Sequence, residues 1–393
     1  RLRQRALLGI SPGRRLRVLT VMALEGTPHP AQIRLAEVFS SVNLLGPPVS
    51  DPLLKLVAHL FSAEEAAVAE HIAPFLPLSP ESIARKARLD LARTEALLDA
   101  MAERRVILDV GGRYCLIPLI PGMFEYVLMG GEEDDWHRKY AELVIELVDT
   151  GYFKQRYNSL RVPAIRNIPV QAAIDNNHRS LDADRISEMI DRHRFMAVAN
   201  VCQCRQSMRF LEKRCQRASH RDGCLMFGAI SRWVDRIGSG RMVSKQEMRD
   251  IVVDRFNKNL VFMTANLIPE KTNIICTCCD CCCQGLKLVN EYEGKVLIAD
   301  SHFLAEVDHQ RCTRCHECEV VCNTHAHSWE GDRHRLDADR CIGCGLCLQA
   351  CQRDAITLVE NRNYRPPPGG LAELGFKLLP NVIRSGLRAR TIR

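Results

Sequence analysis

Eight cysteines in the C-terminal part of this 393-residue chain stand in two runs with identical spacing. The first run spans 312–322 and the second spans 341–351, and each reads C-x2-C-x2-C-x3-C. Cubane iron–sulfur clusters need four converging thiolates, and in a pair of such runs the fourth cysteine serves the other cluster. We therefore predict two [4Fe-4S] clusters, one held by Cys312, Cys315, Cys318 and Cys351 and the other by Cys341, Cys344, Cys347 and Cys322.

These runs resemble a bacterial dicluster [4Fe-4S] ferredoxin, although the resemblance covers only about a tenth of the chain. The proline that usually follows the fourth cysteine is replaced by Asn323 and Gln352. The alternative is a pair of zinc ribbons, but zinc sites use separated cysteine pairs rather than four cysteines in a row of eleven residues. His316, His325 and His327 lie near the first run and are not needed as ligands, because each run already supplies four thiols.

A second group of ten cysteines lies upstream, and six of them fall within eight residues. Thiols packed this densely capture metal or oxidise. We predict one or two further iron–sulfur clusters here, three or four in total, with zinc as the alternative because it also accepts four cysteines. The ten are Cys202, Cys204, Cys215, Cys224, Cys276, Cys278, Cys279, Cys281, Cys282 and Cys283.

Strand geometry limits how these ten thiols are shared, because neighbouring side chains of an extended chain point to opposite faces. The alternation predicts Cys276, Cys278 and Cys282 on one face, with Cys279, Cys281 and Cys283 on the other. Cys202, Cys204, Cys215 and Cys224 are enough to complete one cubane. A sharing of ligands between both segments stays open.

Upstream of these cysteines, residues 51–122 read as helices followed by a hairpin, the order of a winged helix. Asp51-Pro52 starts a helix, a helix is expected from about Leu91 to Arg104, and a Gly111-Gly112 turn joins two short strands. The candidate recognition helix, 90–105, is slightly acidic, which disfavours phosphate binding. Cys115, on the second strand, is predicted to be a buried thiol.

The predicted fold class is α+β, with a mainly helical N-terminal half, a cysteine-rich middle domain and a small ferredoxin-like domain of βαβ type. We place the winged-helix-like domain after a basic N-terminal segment, and a basic Pro-led tail after the ferredoxin domain. The expected boundaries are 1–50, 51–122, 123–300, 301–360 and 361–393.

Taken together, residues 51–355 resemble a family of multi-domain 4Fe-4S binding proteins of anaerobic redox metabolism. The motifs that carry this resemblance are Asn-Val-Cys-Gln-Cys-Arg at 200–205, Cys-Leu-Met-Phe-Gly at 224–228 and the cysteine-dense segment from Asn273. The resemblance implies electron transfer within larger complexes. An adjacent Cys-Cys is similar to the CCG motif of heterodisulfide reductases, but no glycine follows Cys279.

The formal net charge of +7 sits in the tails. Residues 1–17 hold six Arg and no acid, and 362–393 is also strongly basic, so the central body is net acidic. This distribution argues against nucleic acid and favours tails that contact a redox partner subunit or a membrane surface. The sequence shows neither a signal peptide nor a transmembrane run, and thiolate clusters fit a reducing, cytoplasmic compartment, with association with a membrane complex left open. Residue 1 is Arg rather than Met, so whether the N-terminus is complete stays open.

Three functions fit these features, and the first is favoured. In the favoured function, the chain is an iron–sulfur electron-transfer subunit. Its flavin or catalytic partner is then expected on another chain, because this sequence has no dinucleotide fingerprint and no P-loop. The first alternative is a redox-sensing winged-helix regulator. The second is an oxidoreductase with a special cluster in the region 202–283.

Overall fold

The computed structural model describes residues 27–44, 46–152, 162–169, 186–292 and 297–389. The fold mixes helices and sheet, as an α+β class requires. Most of the predicted basic N-terminal segment and the last four residues of the predicted tail lie outside the described residues.

The first part of the chain is a helical core. Apolar positions at helical spacing become fully buried, as in α2, where five of ten residues face inward. Local caps set the boundaries: Ser62 and Glu65 form a capping box at the start of α3. The helices are α1 (Pro30–Phe39), α2 (Asp51–Leu60), α3 (Ala63–Ala69), α4 (Pro80–Ala87), α5 (Leu91–Glu103), α6 (Phe124–Leu128) and α7 (Asp135–Leu147).

A short hairpin follows α5, with strands β1 (Leu108–Asp109) and β2 (Tyr114–Cys115). Leu78, just before α4, bridges to Tyr114, so a third extended segment lies beside the hairpin. These elements occur in the predicted order, while the winged-helix assignment itself stays a prediction. Cys115 is 3% exposed and is the buried thiol that the sequence predicts.

A six-stranded antiparallel sheet forms the middle of the structure, in the strand order β3-β7-β8-β5-β4-β6. Val198 and Leu225 face one apolar cluster, and their neighbours Ala197 and Met226 face a second cluster on the other side. The strands are β3 (Ile165–Asn167), β4 (Met196–Ala199), β5 (Leu225–Phe227), β6 (Gly240–Met242), β7 (Val261–Ala265) and β8 (Ile274–Cys278). The helices between and beyond them are α8 (Ile186–Arg192), α9 (Gln203–Phe210), α10 (Ala229–Arg236), α11 (Lys245–Asn257) and α12 (Gln284–Tyr292).

The two C-terminal runs lie within a pair of antiparallel ribbons. Strand β9 (Phe303–Val307) pairs with β12 (Ile356–Glu360), and β10 (His327–Glu330) pairs with β11 (Arg333–Leu336). Each run ends in a one-turn helix, α13 (Glu317–Val321) or α14 (Leu346–Ala350), and these two helices pack together.

A final helix, α15 (Leu371–Ala389), leaves apolar side chains in solvent. Phe376, Leu379 and Ile383 are 79%, 51% and 47% exposed, and their spacing puts them on one face. Among the described residues, every helix is too short or too polar to cross a membrane.

Candidate iron–sulfur and metal centres

Each C-terminal run wraps around a cavity, and each cavity takes one thiol from the other run. The first cavity is lined by Cys312, Cys315, Cys318 and Cys351. The second is lined by Cys322, Cys341, Cys344 and Cys347. Four thiols facing one cavity are the donor set that a cubane requires. The cavities thus group the thiols as the spacing predicts, and the ligation itself stays a prediction.

Left-handed backbone at matching positions gives both runs the same path. Arg314 and His316 have φ of 63° and 65°, and the equivalent Gly343 and Gly345 have φ of 64° and 80°. A side chain at Gly343 would come within 2.1 Å of the Phe303 carbonyl oxygen, so this position requires glycine. Arg314 tolerates the same backbone because its side chain points to solvent.

Backbone amides also repeat between the runs. The Ala326 N–H donates to Cys322 Sγ at 3.2 Å, and the Ala355 N–H donates to Cys351 Sγ at 3.3 Å. Hydrogen bonds to the sulfurs tune the potential of a cluster that those sulfurs bind. The fourth cysteine of each run therefore has the same amide donor four residues further along the chain.

A buried histidine pair lies between the two cavities, with His334 lining the first and His327 lining the second. His334 Nε2 lies 3.7 Å from Cys318 Sγ and 2.9 Å from Nδ1 of His327. Burial lowers the pKa of His327 to about 4, so its ring is neutral near pH 7. His334 could not be singled out from the sequence, because it lies sixteen residues after Cys318 and follows a turn.

Upstream, the sheet gathers six thiols, which we call the six-thiol group: Cys202, Cys204, Cys224, Cys276, Cys278 and Cys283. Cys202 follows β4 and caps α9, and Cys224 immediately precedes β5. Because Leu225 pairs with Ile275, Cys224 lies beside Cys276, and their sulfurs are 3.6 Å apart. The strand register thus brings together cysteines that are about fifty residues apart in sequence.

Contacts between sulfurs shift the pKa values within the six-thiol group in opposite directions. Contact with Cys204 lowers the pKa of Cys202, and contacts with Cys224 and Cys278 lower that of Cys276. Contacts with Cys204 and Cys278 lower the pKa of Cys283. The pKa values of their partners rise correspondingly. These contacts link all six sulfurs into one connected set.

The other four thiols form a separate four-thiol group: Cys215, Cys279, Cys281 and Cys282. Their sulfurs all lie within 4.8 Å of one another. The Cys215 sulfur is 3.6 Å from that of Cys279 and 3.5 Å from that of Cys281. Cys215 comes from the loop after α9, and the other three come from the turn after β8.

This division differs from the predicted alternation at two positions. Cys282 belongs with Cys279 and Cys281, whereas Cys283 belongs with Cys276 and Cys278. The reason is that β8 ends at Cys278 and the chain then turns, so strand alternation no longer applies. Cys215, which we grouped with Cys202, Cys204 and Cys224 to complete a cubane, likewise belongs to the four-thiol group.

Arg205 is a buried cation between the two groups. It is 1% exposed, and its Nη1 and Nη2 donate to the carbonyl oxygens of Asp222 and Thr277 at 3.0 and 2.6 Å. Burial alone would lower the pKa of Arg205, but the nearby sulfurs of Cys202 and Cys279 more than offset it and raise the pKa. This guanidinium is placed to stabilise negative charge in both groups.

Asn323, which replaces the usual proline, ties the second cavity to the four-thiol group. Its side chain is 1% exposed and accepts from the Asp280 N–H at 3.0 Å. Its Nδ2 donates to the Asn259 carbonyl at 2.8 Å. The sequence shows that asparagine replaces proline here. It does not show the hydrogen-bond partners of Asn323, which lie more than forty residues upstream.

Comparison with known proteins supports an iron–sulfur class. Residues 334–357, which include the whole second run, match the 4Fe-4S binding domain family. The chain is 34% identical over 64 residues to NADH-quinone oxidoreductase subunit I of Pelobacter propionicus, covering 13% of this chain and 34% of that protein. It is 33% identical over 55 residues to pyruvate synthase subunit PorD of Methanocaldococcus jannaschii, covering 14% and 64%.

A third relative, archaeal glutamate synthase [NADPH] of Archaeoglobus fulgidus, is 36% identical over 67 residues, which cover 16% of this chain and 13% of that protein. The chain therefore spans between about an eighth and two thirds of the length of these relatives. No solved structure matches the chain significantly. Residues 334–357 of this protein thus match a 4Fe-4S binding domain, inside the C-terminal segment that holds the two runs.

Proposed function

We propose that this chain is an electron-transfer subunit with three [4Fe-4S] clusters, two at the C-terminal runs and one in the six-thiol group. The observation that supports this most is the exchange of fourth cysteines between the two cavities, which brings both cluster sites within one small unit. The clusters, when bound, supply one-electron chemistry. The donor and acceptor are proposed to be protein subunits, because one relative is named as a subunit of an NADH-quinone oxidoreductase and another as a subunit of pyruvate synthase.

The chain's own residues prepare the sites for this role. Buried sulfurs such as those of Cys224 and Cys347 exclude water, and amide donors and Arg205 stabilise negative charge. Asn323 and Asp280 connect the middle of the chain to the end of the first run, so the sites are held at fixed separations. A relay of electrons needs this rigidity and does not need a substrate pocket.

We propose that α15 contacts the partner subunit through its exposed apolar face. Phe376 and Leu379 stand in solvent on that face, which a protein contact would cover. Replacing both with Ser should lower retention of the native partner during purification, without changing the iron content. A membrane surface is the other contact that this face fits, and binding to anionic vesicles would reveal it.

Several features argue against the regulator alternative. The cations around α5 are paired within the protein: Arg93 with Glu64, Arg104 with Glu65 and Arg105 with Glu132. Paired in this way, they are poorly available to phosphate. We propose a structural or protein-binding role for this region.

Iron and acid-labile sulfide should be measured on anaerobically purified protein, followed by EPR of the reduced form. Three cubanes predict about twelve irons and twelve sulfides per chain. About eight irons would restrict the relay to the C-terminal runs and remove the proposed third cluster. Absence of acid-labile sulfide would refute the proposal altogether.

A second candidate is an oxidoreductase that binds a small anion near the six-thiol group. A cavity of about 370 Å³ includes Asn200, Val201, Arg221 and Arg241 in its lining, and Val201 adjoins Cys202. This volume suits a small molecule. A shift in the EPR signal of the third cluster on adding small carboxylates, lost in Arg221→Gln, would support an enzyme rather than a relay.

A further inference from the structure

The sulfurs of the four-thiol group are packed too closely for a cubane. Cys215 Sγ lies 3.6 Å from the sulfur of Cys279 and 3.5 Å from that of Cys281, and the sulfurs of Cys281 and Cys282 are 3.8 Å apart. A single tetrahedral ion with metal–sulfur bonds of about 2.3 Å places its four sulfurs about 3.8 Å apart. The three contacts therefore have the length of the edges of one tetrahedron.

A cubane sets a different spacing, because each thiolate binds a separate iron at its own corner and the bonds point outward. The C-terminal runs show that wider arrangement. Within the described residues, no three cysteines of these runs lie within 4.8 Å of one another, whereas all four sulfurs of the four-thiol group do. The six-thiol group has one close pair, Cys224 and Cys276 at 3.6 Å, but no three of its described sulfurs lie within 4.8 Å of one another. The four-thiol group is therefore the compact set, and the six-thiol group keeps sulfurs far enough apart for a cubane.

We propose that Cys215, Cys279, Cys281 and Cys282 bind one tetrahedral metal ion rather than an iron–sulfur cluster. Zinc and a single iron both accept four thiolates in this geometry, and the experiment below distinguishes them. The site is closed, since all four positions around the ion are taken by protein sulfurs, which is typical of structural rather than catalytic sites.

The surroundings indicate what the ion would join. Arg217, two residues after Cys215, forms a bidentate ion pair with Asp280 at 2.7 and 2.9 Å. Arg217 also donates to the Val320 carbonyl at 3.0 Å, and Asp280 donates through its N–H to Asn323. The ion would therefore fix the loop after α9 and the turn after β8 against the first run.

Charge balance at the site fits a divalent ion. Four thiolates around such an ion carry a net charge of −2. Arg205 lies beside Cys279 and Cys215, and Arg217 lies beside Cys279 and Cys281. Two partly or fully buried guanidinium groups thus face the anionic site, which reduces the cost of burying it.

The proposal is separate from the electron-transfer function. It assigns only four of the ten upstream thiols and leaves the six-thiol group free to hold a cluster. If the relay is wrong, the four-thiol group still binds its ion. If the four-thiol group instead holds a cubane, iron rises to about sixteen per chain, the total for four cubanes.

The test compares Cys281→Ser with wild type by metal and sulfide analysis on anaerobically purified protein. Cys115→Ser is the matched control, because Cys115 is a buried thiol outside every group. Loss of one zinc at constant iron and sulfide supports the proposal and identifies zinc. Loss of one iron at constant sulfide supports it and identifies a single iron.

Loss of several irons together with sulfide overturns the proposal, and so does an unchanged metal content. If Cys281→Ser fails to fold, X-ray absorption of the wild-type protein decides the matter. Zinc surrounded by four sulfurs at about 2.3 Å, with no neighbouring metal, is the expected zinc signature. Absence of both zinc and a sulfide-free iron from wild type would refute the single-ion site.

Discussion

The buried side chain of Asn323 offers a sharp test of how the first run is attached to the middle of the chain. Asn323→Ala removes the acceptor of the Asp280 N–H and the donor to the Asn259 carbonyl, at 3.0 and 2.8 Å. A buried polar group left without a partner costs about 1–3 kcal/mol. Two such groups, the Asp280 N–H and the Asn259 carbonyl, give an expected destabilisation of about 2–6 kcal/mol.

The chain supplies its own control. Gln352 follows the fourth cysteine of the second run as Asn323 follows that of the first, but Gln352 is exposed. Gln352→Ala should change stability by less than about 0.5 kcal/mol. Equal effects of the two variants would refute the reasoning. They would show that any residue directly after the fourth cysteine sets stability, whatever hydrogen bonds its side chain makes.

The assay is anaerobic urea unfolding of the cluster-loaded protein, followed in parallel by far-UV circular dichroism and by the visible absorbance of the clusters. Asn323→Ala should lower the midpoint at which cluster absorbance is lost, and Gln352→Ala should leave it unchanged. Asn323→Pro, which restores the residue typical of ferredoxins, should behave like Asn323→Ala because proline offers neither bond.

Three further predictions address charge, pH and ligation. Arg205→Met should lower the potential of the cluster in the six-thiol group by about 100 mV, since a unit charge at roughly 6 Å is worth about 3 kcal/mol; Arg205→Lys should retain most of it, and redox titration by EPR measures both. Burial raises the pKa of Glu125 from 4.5 to about 7. The folded state therefore holds this proton where the unfolded state releases it, so stability falls as pH rises from about 4.5 to 7. The advantage of Glu125→Gln over wild type should grow by about 2 kcal/mol between pH 5.5 and 8 in urea titrations, and a constant difference would contradict the assignment. In a Cys351→Ser variant, adding Cys312→Ser should cost no further iron, because both thiols line the first cavity. Adding Cys341→Ser instead should also remove the cluster of the second cavity. Additive iron losses in both double variants would refute the shared cavity.

Local signals in the sequence were enough to predict the parts of the fold that depend on nearby residues. The helix at Asp51 and the buried Cys115 follow from spacing and turn residues, as does the order of the two C-terminal runs. The thiols of each run lie close in sequence, so their grouping needs only the spacing rule.

Long-range pairing explains what the sequence could not predict. The position of Cys224 beside Cys276 depends on the register of β5 against β8, and no local pattern fixes that register. The separation of Cys282 from Cys283 depends on the turn that follows β8. Asn323 and Arg205 matter because of carbonyl and amide groups that lie far away in the chain.

The strand order has a consequence for how the protein matures. Strand β8 carries Cys276 and Cys278 and lies between β5 and β7, so the six-thiol group is complete only after the centre of the sheet has formed. The C-terminal runs close over much shorter stretches of chain and are expected to form sooner, because local contacts cost less loop entropy. The C-terminal runs are therefore expected to take up iron first, although they are the last part of the chain to be synthesised. The upstream thiols would stay exposed to oxidation until the sheet closes over them.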